Sequence, residues 1–235
     1  MKYPLPEDYI NIHTHGSIVS TTIFAIENLM AHEDRAPCDI PEQPCTYGIH
    51  PWHLNRETLD QLIFNVHSVA SSPNLVAMGE AGFDKLRGPD LETQTRAFDA
   101  QVIMSEEIRK PLFIHCVRAW DELLPAHKRL RPKMPWMIHG FRGNEELAKQ
   151  LLSKGMYLSF WFDFVMRPES AKLLRSLPKD RIFLETDGAD VDISKIYNKV
   201  SIDLNMSVDD LKKVFLGNYK ELFTSICPPT PLKGA

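Results

Sequence analysis

The sequence has few cysteines, no long apolar run and no strong excess of charge of one sign. Its four cysteines are scattered and form no CxxC pair (Cys38, Cys45, Cys116 and Cys227). This spacing argues against a structural zinc site and against a disulfide framework, so we expect reduced thiols in a cytoplasmic protein. The N-terminal residues lack the apolar segment of a signal peptide, and no run approaches the roughly 18 apolar residues of a membrane span. We therefore expect no membrane partner.

The net charge of -4 bears on nucleic-acid binding, because a protein that holds nucleic acid through its whole surface is usually basic. Any recognition of phosphate here has to be local, through metal ions or through a few cations in a cleft. The 235 residues are 43% hydrophobic and 25% charged, which is typical of a globular protein. Since no repeat or low-complexity linker divides the chain, residues 1–235 are predicted to form one domain and a monomer, with 228–235 as a loose tail.

The most informative local pattern is Tyr9–Gly16, which reads YINIHTHG. Its β-branched and aromatic residues favour an extended strand. His13 and His15 are two residues apart, so in a strand they project to the same face. Two imidazoles on one face, at the end of a strand, can supply half of a divalent metal site.

Segments typical of strands and of helices alternate along most of the chain. After the first strand, strands are predicted at Thr21–Ile26, Cys45–His50, Leu75–Glu80, Pro111–His115, Trp136–His139, Met156–Phe160 and Arg181–Asp187. Helices are predicted at Glu57–Val69, Leu91–Arg109, Asp121–Arg129, Asn144–Ser153, Glu169–Ser176 and Val208–Phe223. The second strand follows the first too closely for a crossover helix, so we expect it to be short, bent or not parallel. Eight strands without a GxGxxG turn favour a parallel α/β barrel over a doubly wound sheet.

Five predicted strands end in residues that can bind a metal ion. These residues are His13, His15, Glu80, His115, His139 and Asp187. In a barrel of this kind the C-terminal ends of the strands meet at one mouth, where catalytic residues lie. Each residue alone has an ordinary structural explanation, but their coincidence at five strand ends predicts a metal centre.

Four histidines and two carboxylates exceed the needs of one tetrahedral ion. A carboxylate can bridge two ions, and Glu80 is the candidate for this role. Two ions roughly 3.5–4 Å apart would hold the attacking and leaving oxygens of a displacement, and bound water would ionise near neutral pH. Asp187 is the candidate general base.

Six short motifs occur in a fixed order along the chain. They are HTHG at His13–Gly16, GIHP at Gly48–Pro51, GEAGFD at Gly79–Asp84, FIHC at Phe113–Cys116, IHGFRG at Ile138–Gly143 and LETD at Leu184–Asp187. Together with Asn218–Phe223, this ordered set resembles the TatD family of metal-dependent deoxyribonucleases, within the amidohydrolase-like enzymes. The resemblance runs from about Tyr9 to Phe223, nearly the whole chain.

The resemblance implies a distorted TIM barrel, two divalent ions and hydrolysis of phosphodiester bonds at DNA ends. By motif position, it implies that the first ion is held by His13, His15, Glu80 and Asp187. It implies that the second ion is held by Glu80, His115 and His139. The ligand types leave Zn²⁺, Mg²⁺ and Mn²⁺ open.

The chain departs from the family pattern at several positions. Asn11 stands where the family has an aspartate, and Val117 stands where an arginine follows the HC pair, with Arg118 one place later. The crossover helix after the first strand is missing, as in a shortened member. Outside the predicted ligands, the candidate substrate contacts are His50, Trp52, Arg118 and Arg142.

Other functions fit parts of the pattern. An amidohydrolase or lactonase would share the barrel, although its bridging group is often a lysine where Glu80 stands here. A small-molecule phosphoesterase of the PHP type shares the HTH opening but needs later motifs that are absent. A metal-bearing protein whose catalysis is weakened by Asn11 is the non-enzymatic alternative.

Overall fold

The computed structural model describes residues 2–32 and 40–224. Its eight strands are all parallel and lie in the order of the sequence, β1 to β8. They are β1 (Tyr9–Thr14), β2 (Ile23–Met30), β3 (Cys45–Gly48), β4 (Leu75–Asp84), β5 (Leu112–Val117), β6 (Trp136–Ile138), β7 (Tyr157–Trp161) and β8 (Ile182–Glu185). The predicted α/β barrel of the TIM type is therefore confirmed.

The helices lie outside this sheet. They are α1 (Leu59–Ser68), α2 (Leu91–Ile108), α3 (Trp120–Leu130), α4 (Glu145–Leu152), α5 (Phe162–Val165), α6 (Ser170–Ser176), α7 (Ile193–Leu204) and α8 (Val208–Thr224), with short 3₁₀ turns at Pro51–His53 and Lys179–Arg181. Asn144 caps α4, since its side chain accepts a hydrogen bond from the Leu147 amide. None of the described helices is long and apolar enough to cross a membrane.

The strands are buried on both faces, which explains why they read as nearly continuous apolar runs rather than as alternating patterns. All ten residues of β4 are buried. Helix α2 covers this strand with its apolar face, which includes Ala97, Phe98 and Val102. An Asp90 N-cap starts α2, and Arg109 ends it in a left-handed conformation. This packing holds the C-terminal end of β4, and with it Glu80, at the centre of the barrel mouth.

Side-chain hydrogen bonds join β1 to residues that follow β8. The Tyr197 hydroxyl, on α7, lies 2.9 Å from the Ile10 amide and 3.1 Å from the Ile10 carbonyl, so it serves both main-chain groups of that residue. Asn11 donates to the Thr186 hydroxyl (2.8 Å) and accepts from the Thr186 amide (3.1 Å). At the top of this seam, the Asp187 amide donates to the His13 carbonyl (3.3 Å).

The expectation for the second strand is wrong. Strand β2 has eight residues and runs parallel to β1, with Tyr9 opposite Ile23. The connection of residues 15–22 contains no helix, yet it is long enough. A six-residue strand rises about 20 Å, and eight extended residues reach about 26–29 Å.

Two helices were not predicted. Helix α7 buries Ile193, Ile196, Tyr197 and Val200, a helical spacing that is readable in the sequence but is interrupted by polar residues. Helix α5 is a single turn directly after β7. The buried Cys45 and the partly buried Cys116 are free thiols, whereas Cys38, Cys227 and the predicted tail at 228–235 lie outside the described residues.

Candidate metal centre

The six predicted ligands meet at the mouth of the barrel. His13 is the second-last residue of β1, and His15 lies directly beyond the end of that strand. Glu80 lies within β4. His115 is in β5, His139 follows β6, and Asp187 follows β8. Residues from positions 13 to 187 of the chain therefore surround one carboxylate, that of Glu80.

The two oxygens of Glu80 face different imidazoles. Oε1 lies 3.3 Å from His13 Nε2 and 3.4 Å from His15 Nε2. Oε2 lies 2.7 Å from His139 Nε2 and 3.6 Å from His115 Nδ1. Each oxygen of Glu80 therefore has its own imidazole neighbours. The Asn28 side chain donates to Oε1 (2.7 Å) and fixes the orientation of the carboxylate.

Asp187 completes the first set of ligand atoms. Its Oδ1 lies 3.6 Å from His13 Nε2 and 3.5 Å from His15 Nε2. The residue has a positive φ of 50°, which an aspartate tolerates better than most residues, and this turn directs the carboxylate over the mouth. His13, His15 and Asp187 thus form one group of atoms that could hold a metal ion.

His50 belongs to the centre itself, where the sequence predicted only a substrate contact. It is 3% exposed, and its Nε2 lies 3.4 Å from Glu80 Oε2. With Glu80 and His115 it forms a second group of potential ligands. The GIHP motif was a signal for this residue, because it places a histidine just after a strand, as at the other ligand positions.

The chemistry of the site fits a metal ion. Both ring nitrogens of His13 are buried and make no hydrogen bond with the described residues, although two carboxylates lie close by. A buried imidazole nitrogen without a partner is costly, and a divalent ion between His13, Glu80 and Asp187 would satisfy it. Histidine nitrogens and carboxylate oxygens are also the donors that Zn²⁺ and Mn²⁺ take in proteins.

Behind the centre, Asp84 orients His115, and Glu185 lies close to His139. Asp84 Oδ2 lies 3.1 Å from His115 Nε2, which leaves His115 Nδ1 turned toward Glu80. Glu185 Oε1 lies 3.5 Å from His139 Nδ1, but this nitrogen makes no hydrogen bond with any described residue, and His139 Nε2 faces Glu80. Ligating histidines typically donate their other N–H to a carboxylate, which sets their tautomer. Glu185 was not predicted near the centre.

The charges of the site shift several pKa values. Burial would raise the pKa of Glu80, but His139 and His13 outweigh it and hold that pKa well below its usual value. Burial opposes a charge on His139, yet the neighbouring Glu80 raises its pKa well above 6.5. Asp187 and Glu80 raise the pKa of His15 to about 9. Burial lowers the pKa of His50 to about 4, so this imidazole is neutral at pH 7.

A cavity of about 900 Å³ opens above the centre. Its lining includes the predicted substrate contacts His50, Trp52, Arg118 and Arg142, and also Arg87. Arg118 is exposed just beyond β5, and its positive φ of 50° turns the chain at that point. The three arginines place local positive charge at the mouth of a protein whose net charge is -4.

Two tryptophans, each paired with an arginine, lie near the rim of this cavity. The Trp52 indole donates to Asp84 Oδ2 (2.6 Å), and the Arg87 guanidinium lies 4.2 Å from the centre of the Trp52 ring. On the other side of the mouth, Arg142 lies 4.3 Å from the centre of the Trp161 ring. Trp52 remains 39% exposed, so its side chain is available to a ligand at the rim.

The sequence is similar to those of curated nucleases. The chain is 33% identical over 147 residues to the 3′-5′ ssDNA/RNA exonuclease TatD of Erwinia tasmaniensis, which is 60% of this chain and 56% of that protein. The protein of the same name from Cronobacter turicensis is 34% identical over 147 residues, with the same shares covered. The chain thus matches little more than half the length of these curated relatives.

Solved structures show the same fold. A TatD homologue from Escherichia coli superposes with a TM-score of 0.75 at 18% identity, over 95% of this chain and 100% of that chain. A TatD-family hydrolase from Entamoeba histolytica gives a TM-score of 0.75 at 18% identity, over 92% of this chain and 98% of that chain. Residues 19–224 match the family described as TatD related DNase. The chain belongs to this TatD family.

Proposed function

We propose that the protein is a metal-dependent nuclease that removes nucleotides from the 3′ end of single-stranded DNA or RNA. The observation that carries this proposal is the position of Glu80, whose two oxygens face two separate sets of imidazoles. The printed names of the curated relatives, which describe 3′-5′ exonucleases of single-stranded DNA and RNA, support the choice of substrate.

In this proposal the side chains around Glu80 would hold two divalent ions. His13, His15 and Asp187 would hold one ion, and His115 and His139 would hold the other. His50 Nε2, 3.4 Å from Glu80 Oε2, is a further potential ligand. When bound, such a pair of ions lowers the pKa of water and stabilises charge on phosphate oxygens. The structure supports this assignment through the buried nitrogens of His13, which make no hydrogen bond.

The protein's own residues position the substrate. Arg118 and Arg142 line the cavity above Glu80 and would bind the phosphates of the strand, since arginine suits phosphate geometry. Asp187 would accept the proton of the attacking water as one P–O bond forms and another breaks. The pKa of Asp187 is held below its usual value, mainly by His13 and His15 against the effect of burial. Asp187 is therefore ionised at neutral pH and acts as a weak base. A weak base is sufficient if a bound ion lowers the pKa of the water.

The test is hydrolysis of single-stranded oligonucleotides carrying a label at either end, with Mg²⁺, Mn²⁺ or Zn²⁺. Loss of a 3′ label before internal fragments, and resistance of circular single strands, are the expected results. Glu80→Ala and Asp187→Asn should each lower the rate by about 10²-fold or more, the equivalent of several kcal/mol. The exposed residues Glu57 and Asp209 offer matched controls as Glu57→Ala and Asp209→Asn.

Lactones, amides and phosphomonoesters belong in the same panel, since they represent the other hydrolases that use this fold. No hydrolysis of any oligonucleotide by the folded, metal-loaded protein would overturn the proposal. Equal activity of the Glu80→Ala protein would overturn the assignment of the site.

A further inference from the structure

A second cavity, of about 470 Å³, lies beside the metal centre. One wall is the connection from β1 to β2, which contains no helix, and includes Gly16, Ser17 and Ile18. The other wall is the segment after β8, from Gly188 to Ile193. We call this cavity the seam groove, because it lies where β1 meets β8.

The seam groove adjoins the main cavity at His15, which lines both. Gly188 packs closely against this histidine, since a Cβ added at Gly188 would lie 3.0 Å from His15 Cβ. The groove therefore begins next to a candidate metal ligand. A phosphate held at the metal centre would have the main cavity on one side and the seam groove on the other.

Both cavities are lined by carboxylates, and they differ in their cationic side chains. Arg87, Arg118 and Arg142 line the main cavity. Among the described residues, no lysine or arginine lines the seam groove, which instead includes Asp190 and Asp192. Asp192 caps α7 by accepting from the Ser194 amide (2.8 Å). Asp190 is exposed, and no described residue bonds to its carboxylate.

We propose that the seam groove holds the terminal nucleoside of the strand, while the rest of the strand lies across the arginine-lined cavity. This proposal rests on the proposed exonuclease function. Beyond the last phosphodiester bond, a strand carries one sugar, one base and a terminal hydroxyl, and no further phosphate. A site for this nucleoside needs no cation, whereas the strand on the other side carries one negative charge per nucleotide.

The size and chemistry of the groove suit this occupant. Its volume lies within the roughly 300–1,000 Å³ typical of small-molecule sites. Ile18, Ile23 and Val191 supply apolar surface for a sugar and base. The carboxylate of Asp190 can accept a hydrogen bond from a terminal hydroxyl, and a terminal phosphate would meet it as a like charge.

The predicted consequence is discrimination between chain ends. Oligonucleotides that end in a 3′-hydroxyl should bind about fivefold or more tightly than those that end in a 3′-phosphate, the effect of one like-charge contact near the surface. Asp190→Arg should bring this ratio to one or reverse it. The matched control is Asp209→Arg, an exposed position on α8 that does not line the groove, which should leave the ratio unchanged.

The experiment measures binding and cleavage separately, with the metal-loaded protein. Fluorescence anisotropy uses 5′-labelled oligonucleotides whose last linkage is a phosphorothioate, which slows hydrolysis, and cleavage uses the unmodified strands. Ile18→Trp, which narrows the groove, should weaken binding of the 3′-hydroxyl strand severalfold. Equal binding of both ends by the wild-type protein, or an unchanged ratio in Asp190→Arg, would overturn the groove assignment.

Failure of this inference is distinguishable from failure of the proposed function. Cleavage of oligonucleotides without discrimination between ends would leave the nuclease proposal in place and remove the groove assignment. Discrimination in binding without any cleavage would support the groove as a site for chain ends and remove the nuclease proposal.

Discussion

The substitution Asp84→Asn tests how the centre is oriented. Asp84 Oδ2 accepts from the Trp52 indole (2.6 Å) and lies 3.1 Å from His115 Nε2. Its Oδ1 accepts from the amides of Leu86 (2.7 Å) and Arg87 (3.0 Å). An asparagine in the same place has one oxygen and one NH₂ group, so in either orientation two N–H groups would face its nitrogen. His115 can remove its part of this N–H contact by a change of tautomer. Its proton would move from Nε2 to Nδ1, the atom turned toward Glu80.

The expected loss of metal affinity follows from that change of tautomer. A protonated Nδ1 cannot bind a metal ion, so the ion near His115 and His139 should bind more weakly. Loss of a carboxylate partner behind a ligating histidine typically costs about 10–100-fold in metal affinity, which is about 1.4–2.7 kcal/mol. The ion near His13 and His15, which do not contact Asp84, should bind within about twofold of its wild-type affinity.

The assay is calorimetric titration of the metal-free protein with Mn²⁺ and Zn²⁺, together with ¹⁵N NMR of the histidine rings to read the tautomer of His115. Asp121→Asn is the matched control, because Asp121 is an exposed carboxylate paired with Lys85 (2.5 Å), where an ion pair is worth little. If Asp84→Asn folds and binds both ions as tightly as the wild type, with the Nε2 proton of His115 retained, the reasoning is refuted.

Four further predictions concern stability and the seam. Each divalent ion at 100 times its dissociation constant should stabilise the protein by about 2.7 kcal/mol and raise its Tm by about 5–11 °C. An unchanged Tm with EDTA and with Mn²⁺ would exclude specific binding. Burial lowers the pKa of His50 to about 4, so in the metal-free protein this residue should destabilise the fold by up to roughly 3 kcal/mol as the pH falls from 6.5 to 4. In chemical denaturation at a series of pH values, His50→Gln should remove only this acid-side loss of unfolding free energy. The raised pKa of His15, about 9, has the opposite effect on the pH dependence of stability. Its contribution to the unfolding free energy is present below pH 6.5 and is lost as the pH rises to 9, so His15→Gln should remove only this alkaline-side loss. Asn11→Asp should change metal affinity and rate less than about fivefold, because Asn11 bonds to Thr186 and not to a ligand; a gain of about 10²-fold would show instead that the lost charge had weakened the site.

Much of the barrel could be predicted from local pattern alone. The buried strands of a parallel sheet are short apolar runs, and the turn or loop after each run marks its end. For this reason Leu75–Glu80 and Met156–Phe160 were placed within a few residues of β4 and β7. The course of residues 15–22 was missed, because the rule that parallel strands need a crossover helix is a tendency, whereas the reach of an extended chain is a hard limit.

The sequence by itself determined which residues reach the mouth of the barrel, because a strand end is a local property and each of His13, His115 and Asp187 lies at or just beyond one. Only the tertiary structure decided how those side chains divide between the two oxygens of Glu80, and that His50 joins them. It also decided that Asp84 and Glu185 stand behind two of the histidines, and that a groove adjoins His15. Distances between residues that are far apart in the chain depend on how the strands pack in the barrel, and no local pattern in the chain encodes them.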